Sequence, residues 1–175
     1  MDIVQIRTLA EEYATRYNAE RLVPFPYENI LKDMPDLRIY YTTLDDDTIS
    51  GATLFRDDLF SILINTNKPT TRQHFTLGHE LGHYFLHKDI LRQQNALIDG
   101  DTYLDGSSVL YRQDGTNPQQ IELEANNFAA SLIMPTHLVQ KAWDATGSIQ
   151  ACARIFKVSA IAMSTRLTKM GIIKE

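Results

Sequence analysis

The sequence predicts an α+β fold in which a small antiparallel sheet packs on a long amphipathic helix. Three runs rich in aromatic and β-branched residues, 37–43, 52–56 and 58–65, are typical of short strands joined as a meander. Residues 71–87 then carry apolar side chains at three- and four-residue spacing, which indicates a helix with one buried face. Pro118 is well placed to open a second long helix.

The rest of the chain predicts shorter helices on either side of these elements. Asp2 is a suitable N-cap for a helix over 2–17, and Gly147 is a suitable end for a helix that begins at Pro135. Further short helices are expected over 27–34, 148–157 and 159–170.

The composition is that of one globular domain. The chain has 175 residues, of which 43% are apolar and 22% charged, and these values exclude disorder of the whole chain. No apolar run approaches the roughly 20 residues that cross a membrane, and the N-terminus lacks the pattern of a signal peptide. The single cysteine, Cys152, excludes an internal disulfide. We therefore expect a soluble, cytoplasmic protein without a cleaved leader and without a membrane partner.

Charge divides the chain into two parts. The net charge of −5 argues against nucleic-acid binding by the whole molecule. From Ser148 onward, however, basic residues outnumber acidic ones, although so short a segment can also be basic by chance. We predict a domain over 1–147 and a small helical tail over 148–175 that packs on it.

The most informative segment is His79-Glu80-Leu81-Gly82-His83, the pattern H-E-x-x-H. Because each residue of an α-helix turns about 100°, the two histidines lie roughly 40° apart on one face, and imidazoles so placed can bind one zinc ion. Glu80 lies roughly 60° round from His83, which suits a general base acting on water that the metal activates. The pattern also arises by chance on amphipathic helices, but here the helix follows predicted strands and has a strongly apolar side.

A catalytic zinc site needs a third protein ligand, and the helix after Pro118 is the best source. Glu122 and Asn126 are one turn apart on one face, so Glu122 can ligate the metal while Asn126 hydrogen-bonds a ligand imidazole. Glu124 lies about 200° round from Glu122 and should point elsewhere. Taken alone, Glu122 would be interpreted as an ordinary exposed glutamate in the first turn of a helix, where the helix dipole favours a carboxylate.

The two segments TLGHELGHYFLH (76–87) and ELEANNFAASLIMP (122–135) together resemble the ImmA/IrrE family of zinc metallopeptidases. The resemblance is strongest over 61–135. Gly78 is a departure, because the family more often has alanine there. With Gly82 it places two glycines in one helix, a cost that close contact with another element would justify.

The resemblance implies a zincin-like fold and a Zn²⁺ ion held by His79, His83 and Glu122, with Glu80 as the catalytic base. Several members of the family cleave a helix-turn-helix repressor, so the resemblance implies a zinc-dependent endopeptidase whose substrate is a regulatory protein. The alternative is a DNA-associated regulator or stress sensor with a non-catalytic metal site, which would have no need of Glu80. A degenerate scaffold is a third reading, although no ligand is missing.

Other polar residues have open roles. The donor that stabilises the oxyanion has no spacing argument, and the candidates are Tyr103, Tyr111, Arg112 and His87. His87 continues the line of histidines by one turn, so it is either a fourth ligand or, as we favour, the cap of the helix end. Asn65 either marks a strand that aligns an extended substrate or is a turn residue. We expect His74 and His137 at the surface.

The tail resembles the helix-turn-helix region of family relatives. Ser159 is expected to cap its second helix and leave Arg166 and Lys169 exposed. A DNA reader would place several polar or basic side chains in a groove, and this helix offers few. Packing on the core or recognition of a partner is therefore favoured over direct DNA binding through 148–175.

Overall fold

The structure, a computed structural model, describes residues 1–100 and 117–174. Among these residues, helices pack against a four-stranded sheet, which confirms the α+β class. In chain order the elements are α1 (Ile3–Tyr17), α2 (Glu28–Lys32), β1 (Leu37–Thr42), β2 (Ile49–Arg56), β3 (Leu59–Asn65), α3 (Thr70–Leu86), α4 (Lys88–Gln94), β4 (Ala96–Gly100), α5 (Pro118–Ile133), α6 (Thr136–Thr146), α7 (Ile149–Phe156) and α8 (Ala160–Lys169).

The expected antiparallel meander is wrong in its strand order. The observed order is β1-β3-β2-β4, and β1 runs parallel to β3, with Leu37 beside Phe60 and Thr42 beside Asn65. The β2–β3 and β2–β4 pairs are antiparallel. Burial explains the order, because the alternate apolar residues of β3 are buried while β1 is largely exposed, which suits an edge strand.

Asn65 joins the ends of these strands. Its side-chain oxygen accepts hydrogen bonds from the N–H groups of Leu44 and Asn67, and its amide donates to the carbonyl of Ile49 at 2.8 Å. Because β3 is paired on both sides, an extended substrate cannot add to it. Asn65 is thus a turn residue, and the alternative reading as a substrate-aligning position is wrong.

Two glycines let α3 and α5 cross in close contact. A Cβ atom on Gly82 would lie 3.0 Å from the Cα atom and 3.1 Å from the carbonyl oxygen of Ala125. A Cβ on Gly78 would lie 3.0 Å from the hydroxyl of Tyr27 and 3.4 Å from the Cβ of Ala129. The expected close contact is therefore present at both positions, and it brings the two motif-bearing helices together.

Several local predictions are confirmed by the caps. The carboxylate of Asp2 accepts from the N–H of Gln5, Ser159 accepts from the N–H of Ala162, and Gly147 ends α6 in the left-handed region at a φ of 56°. The pattern missed α4 and β4, which Asn95 joins at a φ of 67°. The sequence of residues 109–112 also predicts a short strand, and these residues lie outside the described part of the chain.

The C-terminal helices share the core of the rest of the chain. Cys152, Phe156, Met163 and Leu167 are fully buried within the same apolar cluster as α3 and α5. Arg166, expected to be exposed, is only 6% exposed. Its guanidinium donates to the carbonyl of Met134, the hydroxyl of Ser131 and the carboxylate of Glu11. The expectation failed because a basic residue near a helix end resembles a solvated one in sequence.

Among the described residues, none of the helices combines the length and the apolar character needed to cross a membrane.

Candidate metal centre

The imidazoles of His79 and His83 converge on one point beside α3. They lie one helical turn apart, as the spacing predicts, and their Nε2 atoms are 2.9 Å from each other. The two residues are only 2% and 1% exposed. Both imidazoles are therefore shielded from bulk solvent.

Glu122 reaches the same point from the first turns of α5. Its Oε2 atom lies 3.1 Å from Nε2 of His79, and its Oε1 atom lies 3.4 Å from Nε2 of His83. Donors bound to one zinc ion at about 2.0–2.1 Å in a tetrahedral arrangement are separated by about 3.3 Å. The three buried side chains offer ligand atoms within 4.8 Å of one another, so together they can bind a metal ion.

The protonation states suit metal binding. Burial lowers the pKa of His83 to about 4, so its imidazole is neutral at pH 7 and offers a lone pair. Burial acts to raise the pKa of Glu122, but hydrogen bonds from His79 and His83 outweigh it and hold the pKa well below its ordinary value. Glu122 is therefore ionised at neutral pH.

Asn126 contacts His79, as its place one turn after Glu122 predicts. The side-chain oxygen of Asn126 lies 3.0 Å from Nδ1 of His79. An imidazole that binds a metal through Nε2 carries its proton on Nδ1, and this amide oxygen can accept that proton in a hydrogen bond. The contact fixes the plane of the His79 ring.

His87 and Glu124 contact each other beside His83. His87 is the C-cap residue of α3, the position that we favoured, and its backbone N–H donates to the carbonyl of His83 at 2.9 Å. Burial lowers the pKa of its ring, which disfavours a cation at this helix end. Its ring lies 3.0 Å from Nδ1 of His83 and 3.0 Å from the carboxylate of Glu124. His87 therefore contacts His83 but is not one of the three residues that could hold the metal ion.

Glu124 was expected to point away from the site. It does lie outside the ligand group, but the α3–α5 crossing brings its carboxylate to His87. The repeat of histidine every four residues pointed to His87. Nothing in the sequence pointed to Glu124 as the partner of His87.

Glu80 projects from α3 toward the sheet and is fully buried. The hydroxyl of Thr53 on β2 donates to Oε2 of Glu80 at 2.6 Å. A Cβ atom on Gly51, also on β2, would lie 3.1 Å from Oε1 of Glu80 and 2.5 Å from Cγ2 of Thr76. Sequence reasoning missed Thr53 and Gly51, because their positions depend on how the sheet packs on α3.

The remaining candidates fall elsewhere. Tyr103, Tyr111 and Arg112 lie outside the described residues. His137 is exposed, as expected, but His74 is half-buried, and its ring packs edge-on against Tyr27 with centroids 5.2 Å apart.

The family model described as the IrrE N-terminal-like domain of peptidase M78 matches residues 33–168. A Mycobacterium tuberculosis transcriptional regulator of known structure superposes with a TM-score of 0.62 at 16% identity. The alignment covers 94% of this chain and 47% of the regulator, so the chain spans about half the length of that protein. The likeness shows a shared fold. No curated protein matches the chain.

Proposed function

This chain belongs to the peptidase M78 family of IrrE N-terminal-like domains, and from that premise we propose that it is a zinc-dependent endopeptidase. The observation that supports the proposal most directly is the meeting of His79, His83 and Glu122, with ligand atoms within 4.8 Å of one another. Two imidazoles and one carboxylate form the ligand set of many hydrolytic zinc sites.

In this proposal His79, His83 and Glu122 hold the ion. Zinc so held is a Lewis acid that makes water a stronger nucleophile at neutral pH. The crossing of α3 and α5 fixes the separation of the three ligands before any ion binds, because Gly82 and Ala125 are in backbone contact. A preformed site loses little free energy to reorganisation.

Glu80 is the proposed general base. Its carboxylate takes a proton from the attacking water and delivers it to the nitrogen of the leaving amine. The hydroxyl of Thr53 donates to Oε2 at 2.6 Å and so fixes the carboxylate plane. Gly51 leaves space for the other oxygen, Oε1, at the surface of the sheet.

We propose a regulatory protein as the substrate, specifically a helix-turn-helix repressor. The support is the resemblance to peptidases that cleave such repressors and the likeness in fold to a protein named a transcriptional regulator. A dedicated protease of this kind would act as an anti-repressor in the cytoplasm.

A second candidate is a DNA-associated regulator with a non-catalytic metal site. The name of the structural relative favours it, and the basic tail would supply the contact. The burial of Arg166 weakens it, because a side chain bonded to Met134 and Glu11 is withdrawn from any DNA groove. A regulator of this kind would act normally without Glu80.

The test is cleavage of helix-turn-helix repressors encoded beside the gene, followed by mass spectrometry of the products. Zinc-loaded wild type should cut one repressor at a defined bond. Glu80→Gln should retain zinc and cleave about 10²- to 10⁴-fold more slowly, because it lacks the base but keeps the ligands. Glu20→Gln, which removes an exposed carboxylate, is the matched control. Cleavage by Glu80→Gln at the wild-type rate would refute the proposed mechanism.

A further inference from the structure

A continuous series of hydrogen bonds leads away from the metal-facing side of His83. Nδ1 of His83 lies 3.0 Å from Nδ1 of His87, and Nε2 of His87 lies 3.0 Å from Oε2 of Glu124. The other carboxylate oxygen, Oε1, accepts from the side-chain amide of Gln120 at 2.7 Å. His87 is only 5% exposed, so its two ring nitrogens face protein partners rather than water.

The order of these contacts fixes where each proton lies. If Nε2 of His83 binds a metal, its ring proton is on Nδ1, which then donates to His87. The Nδ1 atom of His87 must accept that bond, so the proton of this neutral imidazole is on Nε2. That N–H group donates to the carboxylate of Glu124, which can only accept. Every donor in the series therefore meets an acceptor.

We propose that His87 and Glu124 are positioning residues for the metal ligand His83, so that the ion is supported by a carboxylate–histidine–histidine series. The inference rests on the proposed metal site. The imidazole of His87 orients the His83 ring, and the negative charge of Glu124, passed through two polarised hydrogen bonds, makes Nε2 of His83 a stronger electron donor.

The two histidine ligands are supported differently. His79 meets the neutral amide of Asn126, whereas His83 meets an imidazole backed by a carboxylate. The partners of His83 should therefore contribute more to metal affinity than Asn126, the partner of His79. Outer partners of this type typically change metal affinity about 10- to 100-fold when removed.

The test is the zinc dissociation constant, measured by competition with a chromophoric chelator on the full chain. His87→Phe keeps a planar ring but removes both hydrogen bonds. His87→Asn is the rescue variant, because its Oδ1, like Nδ1 of histidine, is attached to Cγ and can accept from His83. Glu124→Gln keeps an acceptor oxygen and removes the charge. His137→Phe, at an exposed histidine, is the matched control.

We expect His87→Phe to weaken zinc binding about 10- to 100-fold. His87→Asn should recover most of that affinity, Glu124→Gln should show a smaller loss than His87→Phe, and the control should match wild type. Cobalt-substituted His87→Phe should also show a shifted d–d absorption spectrum, which a loss of packing alone would not produce. Wild-type affinity in His87→Phe, or equal weakness in His87→Asn, would overturn the inference while leaving the metal site intact.

A second measurement needs no variant. Nitrogen-15 chemical shifts of the zinc-loaded wild type should identify His87 as the neutral tautomer with its proton on Nε2. A proton on Nδ1 of His87 would overturn the inference, because that atom could not accept from His83. A wild-type protein that binds no zinc would refute the proposed function itself, and with it the role of His87.

Discussion

Gly82 and Ala125 are in backbone contact, since a Cβ on Gly82 would lie 3.0 Å from the Cα atom of Ala125. Gly82 directly precedes His83 in α3, and Ala125 follows Glu122 by about one turn in α5. The same contact therefore sets the separation between the imidazoles and the carboxylate that meets them.

Gly82→Ala should destabilise the protein by about 1–3 kcal/mol, because the new methyl group meets a backbone that cannot move aside. A loss of stability would be informative, because replacing glycine by alanine in a helix otherwise raises stability by up to about 1 kcal/mol. Gly78→Ala should cost less, because its nearest neighbours are side-chain atoms of Tyr27, Ala129 and Ile133. Chemical denaturation measures both. A Gly82→Ala variant as stable as wild type would contradict the close crossing.

Thr53→Val should lower the cleavage rate about tenfold while leaving zinc content unchanged. Valine has nearly the same shape but lacks the hydroxyl that donates to Oε2 of Glu80 at 2.6 Å. Loss of a buried hydrogen bond to a charged group costs about 1–3 kcal/mol, so unfolding should also become easier. Thr53→Ser should restore the rate. If Thr53→Val and Thr53→Ser cleave equally well, the hydroxyl does not hold Glu80.

Arg166→Met should reduce the free energy of unfolding by roughly 2–4 kcal/mol, because it removes a buried ion pair with Glu11 and the bonds to Ser131 and Met134. Because Glu11 is partly exposed, the expected loss of stability is smaller than it would be for a fully buried ion pair. Lys169→Met, at an exposed position of the same helix, should change stability by less than about 0.5 kcal/mol. Equal stability of the two variants would return Arg166 to the set of available DNA-binding residues.

His74 should make the protein less stable in mild acid. Burial, with a smaller contribution from the charge of Lys157, lowers the pKa of His74 to about 4, whereas the unfolded chain has a pKa near 6.5. Between these values the unfolded state binds more protons, so stability falls as the pH decreases through that window. One proton accounts for at most about 1.4 kcal/mol per pH unit.

The check is denaturation of wild type and His74→Phe at several pH values between 6.5 and 4.5. The difference between their slopes isolates His74 from other histidines such as His83, which contribute equally to both proteins. His74→Phe should lose less stability on acidification, and His137→Phe should follow wild type. Parallel curves for wild type and His74→Phe would show that the buried ring is not the source.

Local patterns predicted the elements that carry the site. The spacing of apolar residues placed α3 to within a few residues of its bounds, and Pro118 placed the start of α5. Helical geometry alone was sufficient to bring His79 beside His83 and Glu122 beside Asn126. These relationships depend on neighbours within one or two turns, which a sequence records directly.

Relationships between distant elements were not predicted. The parallel pairing of β1 with β3, the hydrogen bond from Thr53 to Glu80 and the contact of Glu124 with His87 each depend on a crossing that no local pattern encodes. The predicted exposure of Arg166 was wrong for a related reason, because its carboxylate partner, Glu11, lies on the first helix of the chain. The sequence therefore predicted the three residues that could hold a metal ion, but apart from Asn126 it did not predict the side chains that contact them.

We propose that His79, His83 and Glu122 hold one metal ion and that Glu80 is not among its ligands. The decisive measurement is elemental analysis of purified wild type, Glu122→Ala and Glu80→Gln. About one zinc per chain is predicted in wild type and in Glu80→Gln, with little or none in Glu122→Ala. Absence of zinc from wild type after reconstitution would refute the metal site, and full occupancy in Glu122→Ala would refute Glu122 as its third ligand.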